Sequence, residues 1–385
     1  MFFTAKYYKS FLKKLLLLFL FLLSVNTLKA GNEKSDSTKY TITAVYNQGI
    51  TLFDRMNMYY LLNDYTKGAE IGLIRHRYQS DVWEKEFNNL DIGASLWFST
   101  FGRKDILGEG IVLKAFADFH IFQLGNLYAK YHLSFGPAYV TKLFDIEKNL
   151  FNNTLSSRLN AYSGIGFNLN YLVTDRLSLT GNFLLHHISN GAFKKPNNGI
   201  TLINIGLGIK YELNPLTIQP PVYQGKTPFK ASELMGTIGI GVNQESMYYQ
   251  KKFVSGSVSL THLWYANKTM AYGFGMDFIH LGGSSFIDMD MDIDDEEINI
   301  INTFSNNLYL GLYSTMEIHL GRTSPYFTVG YYVYHKVPTI TPIYGRLGFR
   351  QKIAGNLSAH FSIKIRFFYS EFMEFGLAYR WRYKY

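Results

Sequence analysis

Apolar and polar residues alternate with period two along stretch after stretch of this chain. Nothing after residue 31 is long and apolar enough for a membrane helix. In one stretch Leu357, Ala359, Phe361, Ile363, Ile365 and Phe367 share a face, and Ser358, His360, Ser362, Lys364 and Arg366 share the other. In another, Leu159, Ala161, Ser163, Ile165, Phe167 and Leu169 oppose Arg158, Asn160, Tyr162, Asn168 and Asn170. Strand side chains alternate sides, so the charged face needs a wet or hydrogen-bonded interior and the apolar face a greasy exterior. A soluble β-sandwich reverses that order and has shorter strands.

The alternation predicts strands over 41–49, 68–78, 89–100, 110–122, 126–137, 159–171, 175–189 and 200–212. A second series runs over 233–244, 252–264, 268–281, 304–318, 323–335, 342–353, 356–367 and 371–384. Short connections (Leu124-Gly125, Val173-Thr174-Asp175, Ala266-Asn267, Gly321-Arg322, Gly355-Asn356) alternate with long polar ones at 50–67, 138–158 and 282–303. Short turns on one side and long loops on the other are the habit of outer-membrane barrels. Aromatic residues, at 17%, suit strands and interfacial girdles, and Phe98, Tyr128, Tyr131 and Trp264 read as wall aromatics.

The N-terminus reads as a secretory signal. Lys6, Lys9, Lys13 and Lys14 precede the apolar run Leu15 to Val25, and Leu28-Lys29-Ala30 offers a cleavage site before Gly31. Five of the +9 formal charges are signal lysines, which leaves about +4 on the mature chain, with no basic run to suggest nucleic acid. There is no cysteine, which excludes disulfides, cysteine nucleophiles and a cysteine lipid anchor. The fold expected is all-β: a transmembrane antiparallel β-barrel of about 16 strands (range 12–16) in the bacterial outer membrane, after a cleaved signal peptide.

Its expected parts are the signal peptide 1–30, a first half 31–212, a connector 213–232 marked by Pro215, Pro220, Pro221 and Pro228, and a second half 233–385. One barrel is preferred over two joined units, because a doubled arrangement exposes more edges. The alternating Trp381, Tyr383 and Tyr385 resemble the C-terminal signal read by the outer-membrane assembly machinery, the first expected partner. A pore is a further possibility from strand number alone, with lumen-facing Lys364, Arg366, Arg346 and Arg350 favouring anions.

Chemistry concentrates at the end of the stretch 175–189. Leu177, Leu179, Gly181, Phe183, Leu185, His187 and Ser189 share its apolar face, while Ser178, Thr180, Asn182 and His186 point inward. A His and a Ser two residues apart on a lipid-facing wall suggest acyl transfer on a lipid. Lys194 and Lys195 follow and suit anionic phosphates; a solvated loop is the plainer reading. The run Asp288 to Glu297 lacks the sixth-position Gly and terminal Glu of a calcium loop and reads as a solvated outer loop. No phosphate loop or metal-binding His pair stands out, so no cofactor or metal is expected.

His187-Ile188-Ser189-Asn190-Gly191, followed by Lys194-Lys195-Pro196-Asn197-Asn198-Gly199, resembles the PagL-type lipid A 3-O-deacylase family, and more closely its longer Bacteroidetes members often called acyloxyacyl hydrolases. The resemblance is strongest over 90–212 and weaker to the C-terminus. It implies an outer-membrane esterase that removes an ester-linked acyl chain from lipid A, with lipopolysaccharide as partner. It further implies His187 as general base, Ser189 as nucleophile and Asn190 as an aid to the oxyanion. The short enzymes place a Glu on the next strand to orient the His; here Thr201 stands at that position, and no Asp or Glu occurs between Arg176 and Tyr211. The alternative is a non-catalytic barrel, lipopolysaccharide-binding or pore-forming, that has lost the acid.

Overall fold

The structure, a computed structural model, describes residues 38–52, 59, 62–77, 83, 86–87, 90–214, 229–247, 250–284, 302–336, 341–366 and 369–383. The signal segment, the prolines of the connector, the acidic run 288–297 and Tyr385 lie outside the described residues.

Alternation produces sixteen strands. The first eight are β1 (Thr38–Leu52), β2 (Thr66–Arg77), β3 (Asp91–Thr100), β4 (Glu109–Leu124), β5 (Leu127–Val140), β6 (Leu159–Leu172), β7 (Leu177–Ser189) and β8 (Ile200–Glu212). The second eight are β9 (Ser232–Asn243), β10 (Phe253–Tyr265), β11 (Met270–His280), β12 (Leu308–Ile318), β13 (Thr323–His335), β14 (Ile343–Ala354), β15 (Leu357–Arg366) and β16 (Tyr369–Tyr383). Every sequence-neighbouring pair within a set is antiparallel, and each set closes on itself.

The all-β class and the strand count agree with the alternation, but the preference for one large barrel does not hold: the chain closes twice. β8 pairs with β1 from Thr41↔Glu212 to Leu52↔Thr201, and β16 pairs with β9. No hairpin joins β8 to β9, so the edge of β8 is available to β1, and two closed barrels leave no open edge. The edge argument for a single barrel therefore fails, because two full closures satisfy it equally.

The interiors give the second reason. In the first barrel Glu70 pairs with Lys114 at 2.8 Å, Asp118 with His132 at 2.6 Å, and Asp91 with both Lys130 and His76. In the second, Arg346 reaches Asp277 at 3.2 Å and Glu374 at 3.0 Å, and Glu317 binds Arg350 at 2.8 Å and Arg380. Glu371 takes Lys364 at 2.5 Å and Arg366. Among the described residues no ion pair joins the two halves, so each half neutralises its own buried charge. Parting such a pair costs about 3–5 kcal/mol, because a buried ion is left alone. The expectation of an anion-favouring lumen is corrected by the same contacts: Lys364, Arg366, Arg346 and Arg350 do face inward, but each is tied to a carboxylate, and an eight-stranded barrel is just wide enough for its side chains to fill.

The outer walls are apolar. Ile71, Phe167, Phe183 and Leu207 on the first barrel, and Ile240, Phe274, Leu312 and Phe375 on the second, are exposed. Phe98 and Trp264 belong to that surface, and Tyr131 packs edge-on against Phe167, whereas Tyr128 turns toward Lys130, whose Nζ lies 5.3 Å from its ring centre. The barrels touch through Phe135 of β5, whose ring lies 5.7 Å from Phe349 of β14 and 5.6 Å from Phe361 of β15.

Candidate active site

β7 rises to the rim with its faces sorted as the alternation requires: Ser178, Thr180, Leu184 and His186 are buried inside, and Leu179, Phe183 and Leu185 are exposed outside. His186 is fixed in the interior, stacked on Trp97 at 4.3 Å with its Nδ1 2.7 Å from the Tyr162 hydroxyl. That anchor sets the opposite facing of His187 and Ser189, which share the outer face because they are two residues apart.

Register decides what meets His187. It lies between Ser163 of β6 and Thr201 of β8, its direct cross-strand partners. Its Nδ1 is 2.9 Å from Thr201 Oγ1. In the tautomer a general base needs, Nδ1–H donates to Thr201 and the Nε2 lone pair remains available. Among the described residues His187 forms no ion pair with a carboxylate, and no hydrogen bond joins it to Ser189. Ser189 itself is 7% exposed, tucked at the base of the rim loop.

The backbone behind the imidazole must be glycine. Gly199 has φ +75°, and a Cβ there would stand 2.7 Å from His187 Cε1. An ordinary residue would strain the backbone and displace the ring together. Asn190 closes the loop that follows: its backbone N–H donates to Asn197 Oδ1 at 2.9 Å, and its Nδ2 donates to the Lys194 carbonyl at 2.8 Å. One amide N–H of the two on Nδ2 is thereby engaged. The loop 141–158 braces the same turn, with Ser156 Oγ donating to the Lys194 carbonyl and the Gly199 N–H to the Thr154 carbonyl.

The second barrel holds the loop from its other side, which the sequence does not reveal. Gln244, just past β9, donates its N–H to the Ala192 carbonyl at 2.9 Å and accepts the Lys195 N–H on Oε1 at 3.2 Å. Asn197 Nδ2 donates to Ser370 Oγ at 3.3 Å. Gly191, at φ +60°, lies so close to β16 that a Cβ would stand 2.1 Å from Met373 Cγ. Burial pushes the Glu245 carboxyl above the usual carboxylate range, while the nearby Lys195 ammonium pulls it back. His187, Ser189, Asn190 and Thr201 are thus gathered at one rim, and Lys194 and Lys195 lie in the loop above them. The missed contributors are Gly199, Gln244, Asn197 and Ser370; only Asn197 and Gly199 carried a hint, as members of the Lys-Pro-Asn-Gly stretch.

Two family models match this chain, one per barrel. Residues 72–210 match "Lipid A 3-O-deacylase (PagL)", and residues 232–383 match "Acyloxyacyl hydrolase, C-terminal domain". No curated protein sequence matches significantly. Among solved structures, the outer-membrane enzyme PagL is 15% identical, with 43% of this chain and 97% of that chain covered and a TM-score of 0.31. Neisserial surface protein A is 12% identical (46% and 99% covered, TM-score 0.29), and a designed transmembrane β-barrel is 13% identical (47% and 100% covered, TM-score 0.24).

Proposed function

We propose that this chain, which belongs to the PagL-type family of lipid A deacylases and is integral to the outer membrane, is an esterase that cuts an ester-linked acyl chain from lipid A at the rim of its first barrel. The observation that carries the reading is the outward His187, held through Nδ1 by Thr201 at 2.9 Å on the strand face it shares with Ser189. His187 Nε2 takes the Ser189 proton as Oγ attacks the ester carbonyl carbon. The remaining amide hydrogen of Asn190 faces the oxyanion, a contact typically worth about 3 kcal/mol. Collapse expels the sugar alkoxide, which takes the proton from His187, and water then resolves the acyl-enzyme through the same base. The hydrogen bond from Ser189 to His187 forms as lipid binds, as catalytic contacts often do.

A second reading, a barrel that holds lipopolysaccharide without cutting it, is favoured by the neutral Thr201 and by the missing contact between Ser189 and His187. Mass spectrometry of lipid A from cells expressing the wild type and Ser189→Ala separates the two. Loss of one acyl chain in the wild type alone is expected. Identical spectra, with both proteins folded in the outer membrane, refute the esterase and leave a non-catalytic barrel.

A further inference from the structure

Lys252, the last residue before β10, crosses from the second barrel to the loop of the first: its Nζ lies 3.3 Å from the centre of the Phe193 ring. Phe193 stands four residues beyond Ser189, and Lys194 follows it. Burial lowers the pKa of the Lys252 ammonium, and the like charge of Lys194 lowers it further, so the two cations feel one another across the seam. Among the described residues neither forms an ion pair. Asp145 is within electrostatic reach of Lys194, but its Oδ1 accepts the N–H groups of Glu147 and Lys148, each at 3.0 Å. Lys195 differs, since it lies within electrostatic reach of the Glu245 carboxyl across the seam.

Two like charges near one another, neither of them in a direct ion pair among the described residues, are stabilised by a shared anion. Their height in the fold says which kind. Along the outer face of β7 come apolar Leu179, Phe183 and Leu185, then His187 and Ser189, then the loop bearing Lys194. That is the order of an amphiphile: acyl chain, ester, anionic head. Resting on the function proposed above, we infer that Lys194 and Lys252 form a composite site, one cation from each barrel, for a phosphate on the sugar headgroup of lipid A, docking the ester over Ser189.

The test uses the full-length Ser189→Ala protein in phosphatidylcholine nanodiscs and compares binding of bisphosphorylated lipid A with the same lipid A stripped of both phosphates. Lys194→Gln and Lys252→Gln are each expected to weaken binding of the phosphorylated form by roughly three- to tenfold, as loss of a charge-assisted contact should. Lys252→Arg should keep it, and the stripped form should bind all these variants alike. Equal losses with both lipids, or none with the double variant, overturn the site. Inorganic phosphate that competes only weakly supports a lipid headgroup; inorganic phosphate that binds as tightly as the phosphorylated lipid overturns that assignment. Because no arm requires catalysis, a wild type that cuts no lipid would refute the esterase and leave this result standing.

Discussion

Thr201→Val removes the hydroxyl that His187 Nδ1 meets at 2.9 Å and leaves the shape of the side chain nearly unchanged. The contact is an ordinary neutral hydrogen bond, whose net worth is about 0.5–1.5 kcal/mol. If that energy serves to hold the imidazole in its reactive tautomer and orientation, kcat should fall by roughly two- to tenfold, at about 1.4 kcal/mol per factor of ten. The carboxylate of a charged triad is worth about ten-thousand-fold, because it also stabilises the imidazolium. The assay is the initial rate of fatty-acid release from lipid A by the purified full-length protein, with Ser189→Ala as the zero. Thr201→Glu, which places a carboxylate opposite the ring, should raise kcat. An unchanged rate in Thr201→Val refutes the orienting role. A loss beyond about a thousandfold shows that the hydroxyl does more than a neutral acceptor can.

Gly199→Ala puts a methyl 2.7 Å from His187 Cε1 on a backbone at φ +75°, so deacylation should fall at least about tenfold while the far-ultraviolet spectrum keeps its β signature. Gln244→Ala removes the second-barrel acceptor of the Lys195 N–H, and amide hydrogen exchange over 190–199 should quicken while exchange in β1–β8 stays slow.

Local structure was readable because it depends on residues close in sequence. The stretch predicted over 200–212 is β8 and that over 323–335 is β13, and the expected split between His186 and His187 follows from parity alone. The meeting of His187 with Thr201 was readable for the same reason, since one hairpin fixes the register between them. Closure was not. Whether β8 pairs with β1 or with β9 depends on an edge some 160 residues back, and alternation reads the same in either case. What distinguishes the cases is the pairing within each half, where Glu70 and Asp91 find lysines and Asp118 its histidine without crossing the connector. The role of Gln244 was hidden likewise: it meets Lys195 only because two independently closed barrels stand side by side.

A Ser–His site needs its base both aimed and electrostatically supported, and this fold separates those tasks. Aim is supplied many times over: Thr201 holds Nδ1, Gly199 makes room behind the ring, His186 locks the strand from inside, and Asn190 and Gln244 fix the loop. Support for the imidazolium is supplied by no carboxylate among the described residues. Lipid exposure is a weak reason for that, because a charge near the membrane interface costs only about 0–1 kcal/mol. Nor does the second barrel provide it, since Glu233, Asp277, Glu317, Glu371 and Glu374 are all committed to cations of its own interior. What that barrel gives the site is position: two contacts to the loop backbone through Gln244, a side-chain hydrogen bond from Asn197 to Ser370, and a lysine laid across Phe193. The proposed hydrolase would work by geometry more than by charge, and its rate should respond more to substitutions that loosen the loop than to those that remove a single hydrogen bond from the base.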